Sequence, residues 1–311
     1  MTPATDLRPH CPAVLGRLRP PEYAAAADLL AQGIAFSPEV LTRILRARES
    51  AGTLPTLLAA RDGCSGALLG AGLLDPHRPV AGGRLFTRVA VASDARNHGI
   101  GSALARAVAQ SRRTDRRRLS VEVDAHDRTS LAVATRWGAV PYQRSLSLEL
   151  DLTHDVERWT TAPRRQDVTV QALRPDSVDQ DWHAAFAVYA AAALDLPDRA
   201  GAPAPSYEMF RAQIDHAPGV HVAWRDGTPV GVSCAGPDDG DSWYVFFTGT
   251  LGSARRTGVA RVLKAALHRT AAAAGVRRLS TSTLDVNTPM LALNASLGYR
   301  ITGGVVRMQV R

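Results

Sequence analysis

The chain has 311 residues, 45% of them hydrophobic, and a formal net charge of +8 at pH 7. That apolar content is globular, and no run of about 18 apolar residues occurs, so no membrane span is expected. The opening stretch from Met1 to Pro20 lacks the continuous apolar segment of a signal peptide.

Much of the basic excess is local: Arg112, Arg113, Arg116, Arg117 and Arg118 crowd the end of one expected helix. They read as a solvated face. Nucleic acid is not an expected partner, because no aromatic interleaving and no helix-turn-helix, zinc or RNA-binding signature accompanies them. Cys11, Cys64 and Cys234 are scattered, and read as separate thiols rather than a disulfide framework. A reducing cytoplasm fits these features. No His/Glu pair has metal-ligand spacing, so no metal is expected.

In chain order, residues 1–13 read as a loosely held arm. Val14 to Leu18 is a short strand, and Pro21 to Gln32 and Pro38 to Ser50 are helices. Thr56 to Arg61 and Ala67 to Leu74 pair around Asp62-Gly63, a hairpin signal. A turn-rich link, Pro76 to Gly83, leads to the strand Leu85 to Val91. The loop Arg96-Asn97-His98-Gly99-Ile100-Gly101 follows, and Ile100, Leu104 and Val108 continue as a helical stripe. Leu119 to Asp124 is a strand, Thr129 to Trp137 a helix ended by Gly138, and Tyr142 to Leu152 a closing strand.

The same order then recurs. Val168 to Leu173 is a strand, Asp181 to Leu194 and Tyr207 to Ile214 are helices, and Pro197 to Ser206 between them is a candidate mobile loop. Val220 to Trp224 and Val230 to Cys234 flank Asp226-Gly227. The aromatic and β-branched run Trp243 to Thr250 is a strand. A loop carrying Arg255 and Gly258 opens a helix that runs to Ala274. Leu279 to Thr283, Pro289 to Leu297 and Tyr299 to Val310 complete the pattern. Arg96 and Arg255, like Gly99 and Gly258, are 159 positions apart. Such ordered matches mark an internal duplication: a domain at 1–152, a polar linker at 153–167 containing Pro163, and a second domain at 168–311. Each domain reads as an α/β fold with a mixed sheet, in which the strands on either side of the glycine loop and its helix are parallel. A strand, a glycine-bearing loop and a helix N-terminus together favour phosphate. It is not a Walker loop, because no Gly-Lys-Ser/Thr follows.

Arg-x-x-Gly-x-Gly/Ala after the fourth strand resembles the GCN5-related N-acetyltransferase (GNAT) family, over nearly the whole chain and twice. Asn287-Thr288-Pro289-Met290, Asn294 and Leu297-Gly298-Tyr299 resemble a signature of bacterial members. The resemblance implies two tandem GNAT-like acyl-CoA N-acyltransferase domains with acetyl-CoA or coenzyme A as cosubstrate. It places the pyrophosphate on Arg96, Asn97, His98, Gly99, Ile100, Gly101 and Ser102. In the second copy the loop is Arg255, Arg256, Thr257, Gly258, Val259 and Ala260. Pantetheine would lie along Val89, Ala90 and Val91, or Thr248, Gly249 and Thr250, with Asn287 a further contact.

The family's usual thiolate-protonating tyrosine is replaced by Ala134 and Asn294. Asn294 either hydrogen-bonds the coenzyme or satisfies itself within its helix. Tyr244 faces either the core or the acceptor, and with Asn294 is the candidate catalytic pair. The implied activity is acyl transfer to a primary amine of a small molecule, such as an antibiotic or biosynthetic intermediate, by a monomer or weak dimer. The alternatives are a coenzyme A-binding regulatory module, or O-acyl transfer or decarboxylation on the same fold. Catalysis is expected in the second domain for three reasons. Asn287 stands where the first has Asp127, the 197–206 loop could close over an acceptor, and Asp238, Asp239 and Asp241 precede the fourth strand. The first domain has Pro76-His77-Arg78-Pro79 and Arg84 in that place.

Overall fold

The computed structural model describes residues 12–32, 38–76, 78, 80–112, 115–160, 165–196, 206–214, 217–238 and 240–310. Residues 1–11 of the expected arm and 197–205 of the expected mobile loop lie outside that set, as do His77, Pro79 and Asp239. The chain forms two compact units: residues 1–78, 84–122 and 309–311, and residues 79–83 and 123–308.

The first unit has strand order β1-β2-β3-β4-β5, with β1 Val14–Arg17, β2 Thr56–Arg61, β3 Leu68–Asp75, β4 Leu85–Val91 and β5 Leu119–Asp124. The neighbours are antiparallel except β4 and β5, which run parallel. The helix α3 (Ile100–Ser111) joins β4 to β5 and buries Ile100, Leu104 and Val108, the three positions of the expected stripe. Leu104 packs with Ala60, Val89 and Val91, and Val108 with Leu74, Leu85 and Leu119. The helices α1 (Tyr23–Leu30) and α2 (Pro38–Ser50) carry the remaining apolar stripe. In α1, Tyr23, Ala26, Ala27 and Leu30 are buried, the spacing of one helix face.

The second unit takes α4 (Arg128–Arg136), β6 (Ala139–Asp151) and α5 (Val156–Thr160) before its own repeat begins. Then follow β7 (Thr169–Leu173), α6 (Asp179–Leu194), α7 (Tyr207–Ile214), β8 (Gly219–Arg225), β9 (Thr228–Pro237) and β10 (Ser242–Thr250). The helix α8 (Val259–Ala273), β11 (Arg278–Leu284), α9 (Thr288–Ser296) and β12 (Arg300–Val310) complete it. Its strand order is β12-β6-β11-β10-β9-β8-β7, so the closing strand of the first repeat lies between two strands of the second. One face packs Trp182, Tyr189, Phe210 and Phe247 beneath α6 and α7. The other packs Trp243, Leu267, Leu279 and Leu150 beneath α8.

Two expectations are corrected. The polar stretch 153–167 is not a plain linker: it contains α5, whose Trp159 is 2% exposed and joins the core formed by Leu148, Leu150 and Leu152. Burial of one large indole outweighs the surrounding polar residues. Cys64, on the exposed turn after β2, is in a disulfide, whereas Cys234 is free and buried. Sequence spacing does not report which thiols approach one another in space.

Candidate functional site

Each repeat contains a fork between two parallel strands. β4 and β5 are paired only from Leu85↔Leu119 to Thr87↔Val121, although β4 continues to Val91 and β5 to Asp124. β10 and β11 are paired only from Ser242↔Arg278 to Tyr244↔Ser280, although they continue to Thr250 and Leu284. Alternate residues of a strand direct their N–H groups to opposite sides. Beyond Thr87 and Tyr244, therefore, the donors aimed at the departing strand face the opening of the fork. Val89, Ala90 and Val91 line one fork and Thr248, Gly249 and Thr250 the other, and all six are partly exposed.

β10 also carries a bulge between Val245 and Phe247. Val245 packs beneath α8, whereas Phe247 packs beneath α6 and α7. The extra residue therefore turns the end of β10 over, and β4 has no matching register shift.

The two loops have the same backbone course. Asn97 and Arg256 take φ of 67° and 58°, and Gly99 and Gly258 take 80° and 88°. The arginines before them are extended, with φ/ψ of −71°/159° at Arg96 and −68°/149° at Arg255. A left-handed glycine serves as N-cap of both α3 and α8, and neither helix has a side-chain cap. The first intrahelical bonds of α8 run from the N–H groups of Arg261 and Val262 to the Gly258 carbonyl, both at 3.1 Å. The N–H groups of Val259 and Ala260, and of Ile100 and Gly101 in the first copy, therefore lack a helical partner.

The helices α4 and α9 differ: Asp127 and Asn287 cap them through Ser130 N and Met290 N. Bare donors, the helix dipole and open space around an ideal Cβ at Gly99 and Gly258 suit an approaching pyrophosphate. These residues therefore fit coenzyme A. Thr257 braces the second loop by donating to Ala254 O at 2.7 Å. At the matching place His98 is exposed.

The loop arginines are engaged on the protein. Arg255 forms an ion pair with Asp195, just after α6. Arg96 donates to Val91 O at 3.1 Å, tying its loop to the end of β4. The acidic link before β10 is also engaged. Asp241 lies 3.7 Å from Arg277 and 3.9 Å from Arg278, and Asp238 accepts from Ser280 Oγ at 3.2 Å. The charge of Asp241 is thus offset by two arginines, which weakens the attraction it offers a cationic amine. Asp127 and Asn287 likewise do one common job as caps. Asp127 accepts from Ser130 N at 2.9 Å and Asn287 from Met290 N at 3.4 Å.

Tyr244 reaches across its fork, its hydroxyl 2.7 Å from Ser282 Oγ on β11. Asn294 is 1% exposed, and its buried Oδ1 has no hydrogen-bond partner, a costly arrangement in a folded protein. Sequence reasoning overlooked a buried polar cluster on α8. Lys264 is 1% and His268 0% exposed. Lys264 Nζ lies over the Tyr299 ring at 4.6 Å from its centroid, and His268 Nε2 is 3.0 Å from the Tyr299 hydroxyl. His268 Nδ1 is 3.4 Å from Trp159 O. Neutral His268 satisfies both contacts if Nδ1–H donates to Trp159 O and Nε2 accepts from Tyr299. Burial pushes Lys264 down to about 7, holds His268 well below the usual imidazole value and pushes the Tyr299 phenol up. The available signal was Lys264 and His268 one helical turn apart, beside the apolar Leu263 and Leu267.

No curated protein matches the chain in sequence. The structure resembles a GCN5-related N-acetyltransferase from Sphaerobacter thermophilus at 16% identity and a TM-score of 0.71, covering 96% of this chain and 95% of that one. It resembles a tandem GNAT protein from the clavulanic acid biosynthesis pathway at 19% identity and a TM-score of 0.73, covering 96% and 98%. A GCN5-related glucosamine N-acetyltransferase region of a fungal multi-domain β-N-acetylglucosaminidase matches at 12% identity and a TM-score of 0.71, covering 98% of this chain and 38% of that one. The model of the Acetyltransferase (GNAT) family matches residues 26–139 and again 182–299; with both forks and both loops in place, the chain belongs to that family as a tandem member.

Proposed function

We propose that the protein transfers an acetyl group from acetyl-CoA to a primary amine of a small molecule. The observation that carries this reading is the pair of uncapped helix N-termini behind loops of identical backbone course, each beside a strand fork. Bound acetyl-CoA would supply the thioester. Residues Arg96 to Ser102 and Arg255 to Ala260 would hold its pyrophosphate, and Val89 to Val91 and Thr248 to Thr250 its pantetheine arm.

An N–H at the unpaired edge of the fork would hold the developing oxyanion, and loss of one such donor typically costs about 3 kcal/mol of barrier. Fixing both substrates in the fork removes entropy from the barrier. Asn294, with its unpartnered Oδ1, would contact the coenzyme rather than protonate the thiolate, since an amide is no acid at neutral pH. Tyr244 and Ser282, already hydrogen-bonded across the second fork, can relay a proton there. An antibiotic or biosynthetic intermediate is the favoured acceptor class, in keeping with the pathway of the tandem neighbour. A monomer or weak dimer is part of the same proposal.

A second reading, a coenzyme A-binding module without turnover, is favoured by Ala134 and Asn294 at the positions of the usual tyrosine. One experiment addresses both readings. Coenzyme A binding is measured by calorimetry on the wild type, Gly99→Val, Gly258→Val and the double variant, and the wild type is assayed with acetyl-CoA and a panel of amines. A β-branched residue is strained at these φ values and crowds the approach of phosphate. Each single variant is expected to lose one site and the double variant both. Undiminished binding by the double variant overturns the assignment of the loops. Binding without turnover on any amine selects the second reading.

A further inference from the structure

Arg88 stands at the first position of β4 beyond the paired part of its fork. Val89 and Val91 pack towards α3, so Arg88 belongs to the opposite face of the strand. There Arg88 Nη2 donates to the carbonyl of Gln32, just after α1. Its Nε and Nη1 are buried and have no hydrogen-bond partner.

The carboxylate that acts on it is already paired. Arg78 holds both oxygens of Glu122 at 3.0 and 3.1 Å. Arg88 feels Glu122 and Arg78 at longer range, and burial lowers it only to about 10, so it stays cationic at neutral pH. Two guanidinium groups thus act on one carboxylate, and one positive charge with N–H donors is left over. An arginine in this condition is costly to keep. A plain packing role does not explain it. The matching position in the second repeat, 159 residues on, is Phe247, which is 8% exposed and packs its ring 4.6 Å from that of Tyr189. The same fold therefore closes this place with hydrocarbon.

We propose that Arg88 is the receptor for the carboxylate of a small amino acid-like acceptor, bound in the first repeat. The single surplus charge matches a monoanionic carboxylate better than a phosphate dianion, and guanidinium recognises carboxylate through paired N–H donors. Calling the ligand an acceptor rests on the acetyl-transfer reading above; the binding of a carboxylate does not.

The test is calorimetry in the absence of acetyl-CoA, with short ω-aminocarboxylates from glycine to 6-aminohexanoate. The matched alkylamines and inorganic phosphate are separate arms. The proteins are the wild type, Arg88→Met and Arg88→Lys, each checked for cooperative thermal unfolding. The wild type is expected to bind at least one aminocarboxylate about tenfold or more tightly than its matched amine. Arg88→Met is expected to abolish that preference, and Arg88→Lys to retain part of it. Equal binding of amine and aminocarboxylate by the wild type overturns the proposal, as does an unchanged preference in Arg88→Met. Phosphate binding that is lost in Arg88→Met and displaces the carboxylate overturns the choice of ligand. If Arg88→Met does not fold, Arg88→Lys with full wild-type preference and affinity overturns the role of the guanidinium fork. Carboxylate binding without acetyl transfer would leave this site standing and sink only the acetyl-transfer reading.

Discussion

At the scale of single residues, Lys264 gives a sharp expectation. Its folded-state value, about 7, lies below that of an unfolded lysine, about 10.4. Between these values the unfolded chain holds a proton that the folded chain has released. Stability attributable to this group therefore rises with pH from about 7 to about 10 and is lowest below that window. The contact with the Tyr299 ring offsets part of the burial cost. Lys264→Met should raise stability at pH 7 by about 2–4 kcal/mol, and the gain should shrink as pH approaches 10. Urea unfolding of both proteins across that range checks it; a gain independent of pH would show that Lys264 is not neutralised by folding. His221 shows the acid counterpart, since burial pushes it down to about 4. Its contribution is present above pH 6.5 and is lost as pH falls towards 4. The glycines of the loops were legible in the sequence, because only a few residue types tolerate left-handed backbone. Arg88 and Lys264 were not. Each interrupts an apolar run, and only the packing reveals whether such a charge escapes to solvent or is enclosed.

At the scale of elements, periodicity located the strands and helices that carry the forks, since a half-buried surface imposes its own spacing on the chain. The same Asp-Gly signal nevertheless produced two turns. Asp226 and Gly227 both have positive φ, 49° and 72°, as a tight primed turn requires. Asp62 instead accepts from Cys64 N, Ser65 N and Ser65 Oγ and opens a longer loop, because its side chain competes for the turn donors. The fork itself leaves no mark in the sequence, since a strand has the same composition whether or not its neighbour departs from it. The helix α5 was hidden by the polarity of the stretch around it, although Trp159 was the available clue. Its indole Nε1 donates to His154 O at 3.0 Å and its ring meets His268 edge-on at 6.2 Å. Trp159→Ala should therefore cost about 3–5 kcal/mol and expose His268 to solvent. Chemical denaturation together with the NMR titration of His268 checks both effects. A loss below about 1 kcal/mol would mean that α5 merely rests on the surface.

At the scale of the whole molecule, the duplication is plain in the sequence, but the repeat is not the unit that packs. The register of β6 against β11 runs from Ser145↔Leu284 to Asp151↔Arg278. It places Leu148, Leu150 and Leu152 in one core with Trp243, Leu279 and Tyr299. On its other side β12 approaches so closely that a Cβ on Gly304 would lie 2.3 Å from Ser145 O. Sequence matching could not show this. The closing strands of both repeats have the same alternation and the same place in the order, and neither property says which sheet a strand joins. The second repeat therefore depends on a strand that precedes it in the chain. A chain limited to residues 168–311 would leave β11 and β12 without the strand between them, exposing unpaired backbone and the leucine-lined side of the core. It should aggregate, or unfold without cooperativity. A chain of residues 123–311 retains α4, β6 and α5 and should unfold in one cooperative transition. Calorimetry and light scattering of the two chains decide the matter: a monomeric, cooperatively folding 168–311 chain would refute the dependence on β6.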